Sequence, residues 1–366
     1  MFLSSLVRNL YANGITAHGF YSLYPAIREQ LDYLFIIKGA PGTGKSTLIK
    51  NIADTLIEKG EKIEIIRSPK DNELLDGLII PRLNIGLLVS SPPFTLEAKY
   101  VGAREEEIDL NEGLKMQQLL TWKHEIIHLT DLLEKKYEEA VYHLAKAKEI
   151  HLEHEKIYIE HMNFDLANQL TVELIDEIFS KHQPEARKAV HRQLFLGATT
   201  PQGPVNSIDN ITETVKQRII IKGRAGSGKS TILNKIVQEA TKRGINAEIF
   251  QCGFDPTSLD MVILPELGYA VLDGTPPHPI EPSREGDRVL DLYALCFDQD
   301  IDQLYANELK QIVSSYKQET SAAVRLIKEA KDLNDRLKKI YSQALDFSRN
   351  KAKEEYILTR LLSKLP

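Results

Sequence analysis

Gly39-Ala40-Pro41-Gly42-Thr43-Gly44-Lys45-Ser46 decides the reading of this chain, because the pattern returns as Gly223-Arg224-Ala225-Gly226-Ser227-Gly228-Lys229-Ser230. Both copies fit Gly-x-x-x-x-Gly-Lys-Ser/Thr. Each follows an apolar run, Leu34-Phe35-Ile36-Ile37 or Ile219-Ile220-Ile221, and precedes a helix-like segment, residues 47–59 or 231–243. Strand, loop and helix in that order make a phosphate-binding loop. The glycines let successive backbone N–H groups turn inward around a β-phosphate, and the helix N-terminus adds partial positive charge. The expected nucleotide contacts are these two loops together with Thr47 and Thr231, which follow them. Lys45 and Lys229 would reach the β- and γ-phosphates, and the Ser46 and Ser230 hydroxyls would ligate Mg²⁺. With glycine at about 7% of residues, a chance match falls in roughly one chain in a hundred of this length. A second match in the same setting removes coincidence.

The chain has 366 residues, 42% hydrophobic and 27% charged, with a net charge of -6. That length suits two or three globular domains with substantial cores. The mild acidity gives no strong nucleic-acid signal. Two cysteines, Cys252 and Cys296, show no metal spacing and fit a reduced, cytoplasmic setting. Residues 1–8 lack a basic stretch followed by a long apolar core, and no apolar run approaches membrane-spanning length, so no membrane association is expected.

The repeat extends well beyond the loops. At a 184-residue offset, Arg8-x-Leu10-Tyr11 matches Arg192-x-Leu194-Phe195, Glu64-Ile65 matches Glu248-Ile249, and Leu75-Asp76 matches Leu259-Asp260. The match closes on Pro92-Pro93 with Pro276-Pro277 and Arg104 with Arg288. In a later polar region it resumes one residue out of step. Ala147-Lys148, Lys156-Ile157-Tyr158 and Phe164 there align with Ala330-Lys331, Lys339-Ile340-Tyr341 and Phe347. A repeat this long marks two copies of one structural unit. The predicted organisation is a unit at 1–190 (core 8–110, helical region 111–190) and another at 191–366 (core 191–295, helical region 300–366).

Each core reads as α/β with a mostly parallel, Rossmann-like sheet. A short strand comes first (residues 9–12; 193–196), then a loop and a short helix. The loop strand and its helix follow, the helix stopping at Gly60 or Gly244. The next strand covers 62–67 or 246–251, and a tight strand pair covers 77–81 with 85–89, or 261–265 with 269–272. Apolar, β-branched runs bounded by Pro and Gly support strands buried on both faces. Residues 114–178 and 301–365 are rich in Glu and Lys, with apolar residues at three- and four-residue spacing. They predict an antiparallel helical hairpin in each unit, projecting from or folded across the core. A protein partner could engage these hairpins. The sequence fixes no oligomeric state.

Tyr269-Ala270-Val271-Leu272-Asp273 is an apolar strand ending in a carboxylate, so Asp273 would hold Mg²⁺ opposite Ser230. It reads also as a cap for the Gly274-Thr275 turn. The aligned residue in the first unit is Val89, which cannot bind Mg²⁺. One working site and one weaker or regulatory site are therefore expected, with Lys229, Asp273, Asp260 and Lys45 as catalytic candidates. Asp71, Asp76, Asp255 and Asp260 follow the second strand, where one could act as a general base or equally form an Asx-turn. Arg104 and Arg288 could neutralise phosphate charge or form surface ion pairs. Asn234-Lys235-Ile236-Val237 lacks the aspartate of a guanine signature, which favours ATP. Glu125-Ile126-Ile127-His128 is half of a di-iron motif whose second half is missing, and the helical histidines read as a solvated face.

These features resemble a bacterial family of tandem P-loop ATPases, sometimes labelled nucleotide-kinase-like. The resemblance rests on Ile37-Lys38-Gly39 through Ser46, on Leu75-Asp76-Gly77-Leu78-Ile79-Ile80-Pro81, and on Thr199-Thr200-Pro201-Gln202-Gly203. It also rests on Leu272-Asp273-Gly274-Thr275-Pro276-Pro277-His278. It implies ATP binding with hydrolysis and offers no substrate. Members carry Asp-Gly-Thr-x-Pro-His in both halves, whereas here the first half reads Val89-Ser90-Ser91-Pro92-Pro93-Phe94. The expected function is an Mg²⁺-dependent ATPase. The alternatives are a small-molecule or nucleotide kinase with a helical lid, and a non-catalytic nucleotide sensor.

Overall fold

The computed structural model of the chain describes residues 6–184 and 186–365; the segment 1–5 read for a leader lies outside them. The first half runs β1 (Val7–Tyr11), β2 (Asn13–Thr16), β3 (Gly19–Ser22), α1 (Tyr24–Gln30), β4 (Tyr33–Lys38), α2 (Lys45–Glu58), β5 (Ile63–Ser68), β6 (Asp71–Ile80), β7 (Ile85–Ser90) and β8 (Glu105–Asp109). Helices α3 (Met116–Leu120), α4 (Lys123–Ile159) and α5 (Phe164–Phe179) follow. The second half repeats this order with β9 (His191–Phe195), β10 (Gly197–Thr200), β11 (Gly203–Asn206), α6 (Ile208–Ile211), β12 (Gln217–Lys222), α7 (Lys229–Lys242), β13 (Ala247–Gln251), β14 (Leu259–Leu264), β15 (Tyr269–Asp273) and β16 (Asp287–Asp291). It closes with α8 (Leu292–Cys296), α9 (Ile301–Leu304), α10 (Ala306–Gln343) and α11 (Phe347–Leu362).

The fold is α/β around one 12-stranded mixed sheet, ordered β16-β12-β15-β14-β13-β9-β1-β5-β6-β7-β4-β8. The order is a palindrome of the repeat. In each half only β6 or β14 runs against the other strands. The tight strand pairs form as expected, with Gly77 opposite Leu88 and Met261 opposite Leu272. One local expectation is corrected: the segment after the first strand is a β-hairpin, β2–β3 or β10–β11, where a loop was anticipated.

The halves meet at β1 and β9 through the bridge Tyr11–Phe195. Four charges stitch this seam. Arg8 donates to Glu64 at 3.0 Å and forms a bidentate pair with Glu248 at 2.9 and 2.7 Å, while Arg192 donates to Glu64 at 2.7 Å. These are equivalent residues of the two repeats, each arginine crossing to the other half. Burial pushes the Glu64 carboxyl up, but Arg192 and then Arg8 outweigh it and hold the group below its usual range. Its ionised form therefore stabilises the fold above about pH 4.3, the unfolded value, and that stability is lost as pH falls through the lower folded value. Glu64→Gln would leave two arginines short of charge and cost about 3 kcal/mol, the low end for breaking a buried pair, because Arg8 is partly exposed. Urea unfolding at pH 7 checks this; an unchanged midpoint would mean the seam is held by other contacts.

The helical regions depart from the expected hairpins. Helix α4 packs antiparallel to α10, its equivalent in the other half, with Lys136 on Glu329 at 2.8 Å, His143 on Glu319 at 2.6 Å and Glu125 on Arg336 at 3.0 Å. Tyr137, Ala140 and Leu144 interlock there with Ala323, Ile327 and Ala330. The tails are then exchanged. Leu174, Ile178 and Phe179 of α5 join the core of the second half around α7. Ile357 and Leu361 of α11 join the core of the first half around α2.

Among the described residues, no helix is long and apolar enough to cross a membrane. Of the helical histidines, His124 and His128 lie exposed, while His143 bonds to Glu319 and His161 to Tyr305. No cluster of three or more His, Cys, Asp or Glu among the described residues is placed to hold a metal ion.

Candidate functional site

Both glycine loops connect the end of a parallel strand to a 14-residue helix, β4 to α2 and β12 to α7. The helices start at Gly44 (φ 88°) and Gly228 (φ 79°), a left-handed cap that glycine adopts without strain. Each loop is stitched by its own hydroxyl: Thr43 Oγ1 donates to Ala40 O at 2.8 Å, and Ser227 Oγ to Arg224 O at 2.8 Å. Lys45 folds back over its loop and donates to Gly39 O at 2.5 Å and Ala40 O at 2.8 Å. Lys229 donates to Arg224 O at 2.8 Å. Ser46 and Ser230 occupy equivalent positions, their hydroxyl oxygens accepting from Leu75 N and Leu259 N at 2.9 Å. Thr47 and Thr231 lie exposed in the first helical turns.

Around the second loop the chemistry is acidic. Register places Asp273 beside Ile221 at the carboxyl end of β15, adjacent to the loop strand. The turn-capping reading of this residue is borne out, with its second oxygen turned to Lys229. Its Oδ1 caps the turn, accepting from Thr275 N at 2.9 Å and Thr275 Oγ1 at 2.6 Å, while Oδ2 stands 3.6 Å from Lys229 Nζ. Asp260 is the second residue of β14, nearby. Burial and then the Asp273 charge push its carboxyl up to about 7, against a hydrogen bond from Cys252 and the pull of Lys229. A carboxyl poised near neutrality inside a site is suited to accept a proton there. A hydroxyl and two carboxylates are the hard oxygen donors Mg²⁺ takes, and it needs only one or two from the protein when phosphates and water complete the shell. Asp273 lies close enough to Asp260 for its charge to push that carboxyl up, and Lys229 Nζ stands 3.6 Å from Asp273. The donor set fits.

Around the first loop it is basic. Val89 stands beside Ile37 where the second half has Asp273. Lys70 lies where the second half has Phe254, and donates to Ser91 Oγ at 2.9 Å and Pro92 O at 3.3 Å. Burial, then the Lys70 charge, pushes the Lys45 ammonium down to about 7, with Lys338 adding to the effect and Asp76 opposing it. Asp76 is buried, 3.4 Å from Asn13 Nδ2. Ser46 and Asp76, the equivalents of Ser230 and Asp260, are the hard donors here, but Val89 stands in place of Asp273 and Lys45 and Lys70 compete for Asp76, so this set suits Mg²⁺ poorly.

Each site is built from both halves. The backbone of α10 lies on the first loop: a Cβ added to Gly42 (φ 79°) would meet Lys338 O at 2.4 Å. The backbone of α4 lies on the second, where a Cβ on Gly226 (φ 72°) would meet Glu155 O at 2.7 Å. Asn350 Nδ2 of α11 donates to Thr43 O at 2.6 Å. Lysines cross reciprocally as well. Lys148 of α4 pairs with Asp255 at 2.7 Å, and its equivalent Lys331 of α10 pairs with Asp71 at 3.4 Å. Asp71 and Asp255 also make Asx-turns, accepting from Glu73 N and Thr257 N, which favours their turn-forming reading. The hairpins reach over too, with Ala17 N on Phe254 O at 2.9 Å and His18 3.2 Å from Asp255.

Other candidates are turned elsewhere. Arg104 donates to the carbonyls of Arg28 and Leu31. Arg288 forms an exposed ion pair with Glu177 at 2.8 Å. The residues missed from sequence are Lys70, Lys338 and the Lys148–Lys331 pair. Comparing the two copies position by position at the strand ends flags Lys70 against Phe254. The helix lysines carry no local sign of the core they face. No protein-family profile, no curated protein and no solved structure matches this chain.

Proposed function

We propose that the chain comprises two tandem P-loop NTPase units and is an Mg²⁺-dependent ATPase, with its working site at the second loop and a weaker or regulatory site at the first. The observation that carries this reading is Asp273 Oδ2, 3.6 Å from Lys229 at the end of the strand beside the loop strand, with Val89 in its place in the first half. The resemblance to tandem P-loop ATPases belongs to the same proposal.

In the second site, Lys229 exchanges its Arg224 carbonyl for phosphate oxygens, and the loop amides with the α7 N-terminus grip the tail. Ser230 and Asp273 would hold Mg²⁺, which supplies charge neutralisation at the phosphates. Asp260 takes the proton of the attacking water, a role its raised proton affinity suits near neutral pH. Helix α4, lying on Gly226, keeps bulk water from that side of the loop and ties loop position to the packing of the other half. Through the exposed flanks of α4 and α10 the pair can report nucleotide state to a protein partner.

Titration with Mg·ATP, followed by ADP release with and without candidate acceptor hydroxyl compounds, tests this. Binding with acceptor-independent turnover is expected. A rise in ADP only with an acceptor would make the protein a kinase, and tight binding without turnover would make it a sensor. Absence of heat and of thermal shift would reject the phosphate-loop reading altogether.

A further inference from the structure

We propose that the first loop holds the phosphate tail of a nucleotide without a divalent cation, the Lys70 and Lys338 ammonium groups supplying the countercharge that Mg²⁺ would supply in the second. This rests on the phosphate-loop reading and adds how the first site meets the ligand's charge.

Three differences between equivalent positions point the same way. Val89 replaces Asp273, Lys70 replaces Phe254, and Lys338 replaces Glu155. Two carboxylates are removed and two ammonium groups added, while Ala40 stands where the second loop has Arg224, itself paired with Asp302, and Asp335 is added where the first repeat has Leu152. Their placement makes the change local. Lys70 reaches the segment after β7, bonded to Ser91 Oγ and Pro92 O, the region where the second half presents its carboxylate. Lys338 sits on the helix whose backbone lies against Gly42.

The partners of these cations matter as much as their number. Lys70 and Lys45 both donate to neutral oxygens, two from the segment after β7 and two from the loop itself. Lys338 instead pairs with Asp335 at 2.8 Å and stands 3.7 Å from Asp71, partners it would exchange for an anion. Lys45 and Lys70, converging on a ring of inward-turning amides against the single nearby carboxylate of Asp76, leave a cation surplus that a di- or triphosphate matches. Removing the carboxylate also removes what would have anchored the metal. The remaining carboxylate, Asp76, lies in the field of Lys45 and Lys70, which compete with Mg²⁺ for it, and Ser46 adds only a hydroxyl. Because Lys338 belongs to the second repeat, an anion in the first loop would draw α10 onto it and fix the helix pair that spans both sites.

Isothermal titration of the full-length Lys229→Ala chain with ATP, once in EDTA and once in Mg²⁺, tests this. One equivalent is expected to bind in both media with affinities within about threefold. Lys70→Ala in the same background is expected to weaken binding in EDTA at least tenfold, the loss of one charge-assisted contact, and Lys70→Arg to restore most of it. If Lys70→Ala unfolds, as thermal melting would show, Lys338→Gln serves in its place with the same expected loss. Uptake in Mg²⁺ but not in EDTA overturns the proposal while leaving the phosphate-loop reading intact. Unchanged affinity in the lysine variants overturns it as well. No uptake in either medium removes both.

Discussion

Lys229→Ala is expected to lower ATP turnover about 10²–10³-fold, the scale for removing one preorganised charge from a transition state, while Lys45→Ala leaves turnover within about threefold. The difference follows from what surrounds two equivalent lysines. Lys229 stands 3.6 Å from Asp273 and near Asp260, so cation, metal-ligand candidate and base candidate converge on one phosphate position. Lys45 has Val89 in place of the carboxylate and two further lysines for neighbours. Asp76 lies near it, but no carboxylate stands in the position of Asp273, so the metal-ligand candidate is missing there. Asp273→Asn should reproduce most of the Lys229→Ala loss with a steeper Mg²⁺ requirement, since the amide keeps the turn cap while losing the charge. Single-turnover rates for the three variants check this. Equal losses at Lys45 and Lys229 would reject the asymmetry.

Leu361→Ala is expected to destabilise the first half of the protein although Leu361 belongs to the second repeat. The residue is fully buried in the core around α2. Truncating it should cost about 3 kcal/mol, within the range for a buried leucine that leaves a cavity. Its equivalent, Ile178, is buried in the core around α7, so Ile178→Ala should do the converse at similar cost. Hydrogen exchange resolves the two, because local opening is read element by element. Leu361→Ala should accelerate exchange in α2, and Ile178→Ala in α7. Acceleration confined to the variant's own half would mean that each tail covers the core it follows in sequence.

Much of each core was legible because its signals are short-range. Two glycine loops between an apolar run and a helix, the β6–β7 and β14–β15 pairs, and the carboxylate ending β15 all depend on residues close together in the chain. Where the reading failed, the deciding contacts were distant ones. The hairpins β2–β3 and β10–β11 carry little apolar alternation, since they lean on the opposite half. Lys70 carries no local signal in the chain, and only the strand ends of β5 and β7 bring it beside Ser91. Asp71 and Asp255 form the Asx-turns that were one of their two readings, and lysines from the opposite helices pair with them.

The sequence by itself determined two copies of one α/β unit, their glycine loops between strand and helix, and the absence of an acidic strand end in the first. Only the tertiary structure decided that the copies share one sheet and exchange their tails. The two repeats have equivalent apolar tails, so periodicity cannot say which core each will cover. The geometry of the helices can: α4 runs 37 residues, about 55 Å at the helical rise, and a link of a few residues then leads into α5. A rigid rod of that length carries the tail away from its own core and onto the other, and the same rod lays Lys148 or Lys338 against the opposite site.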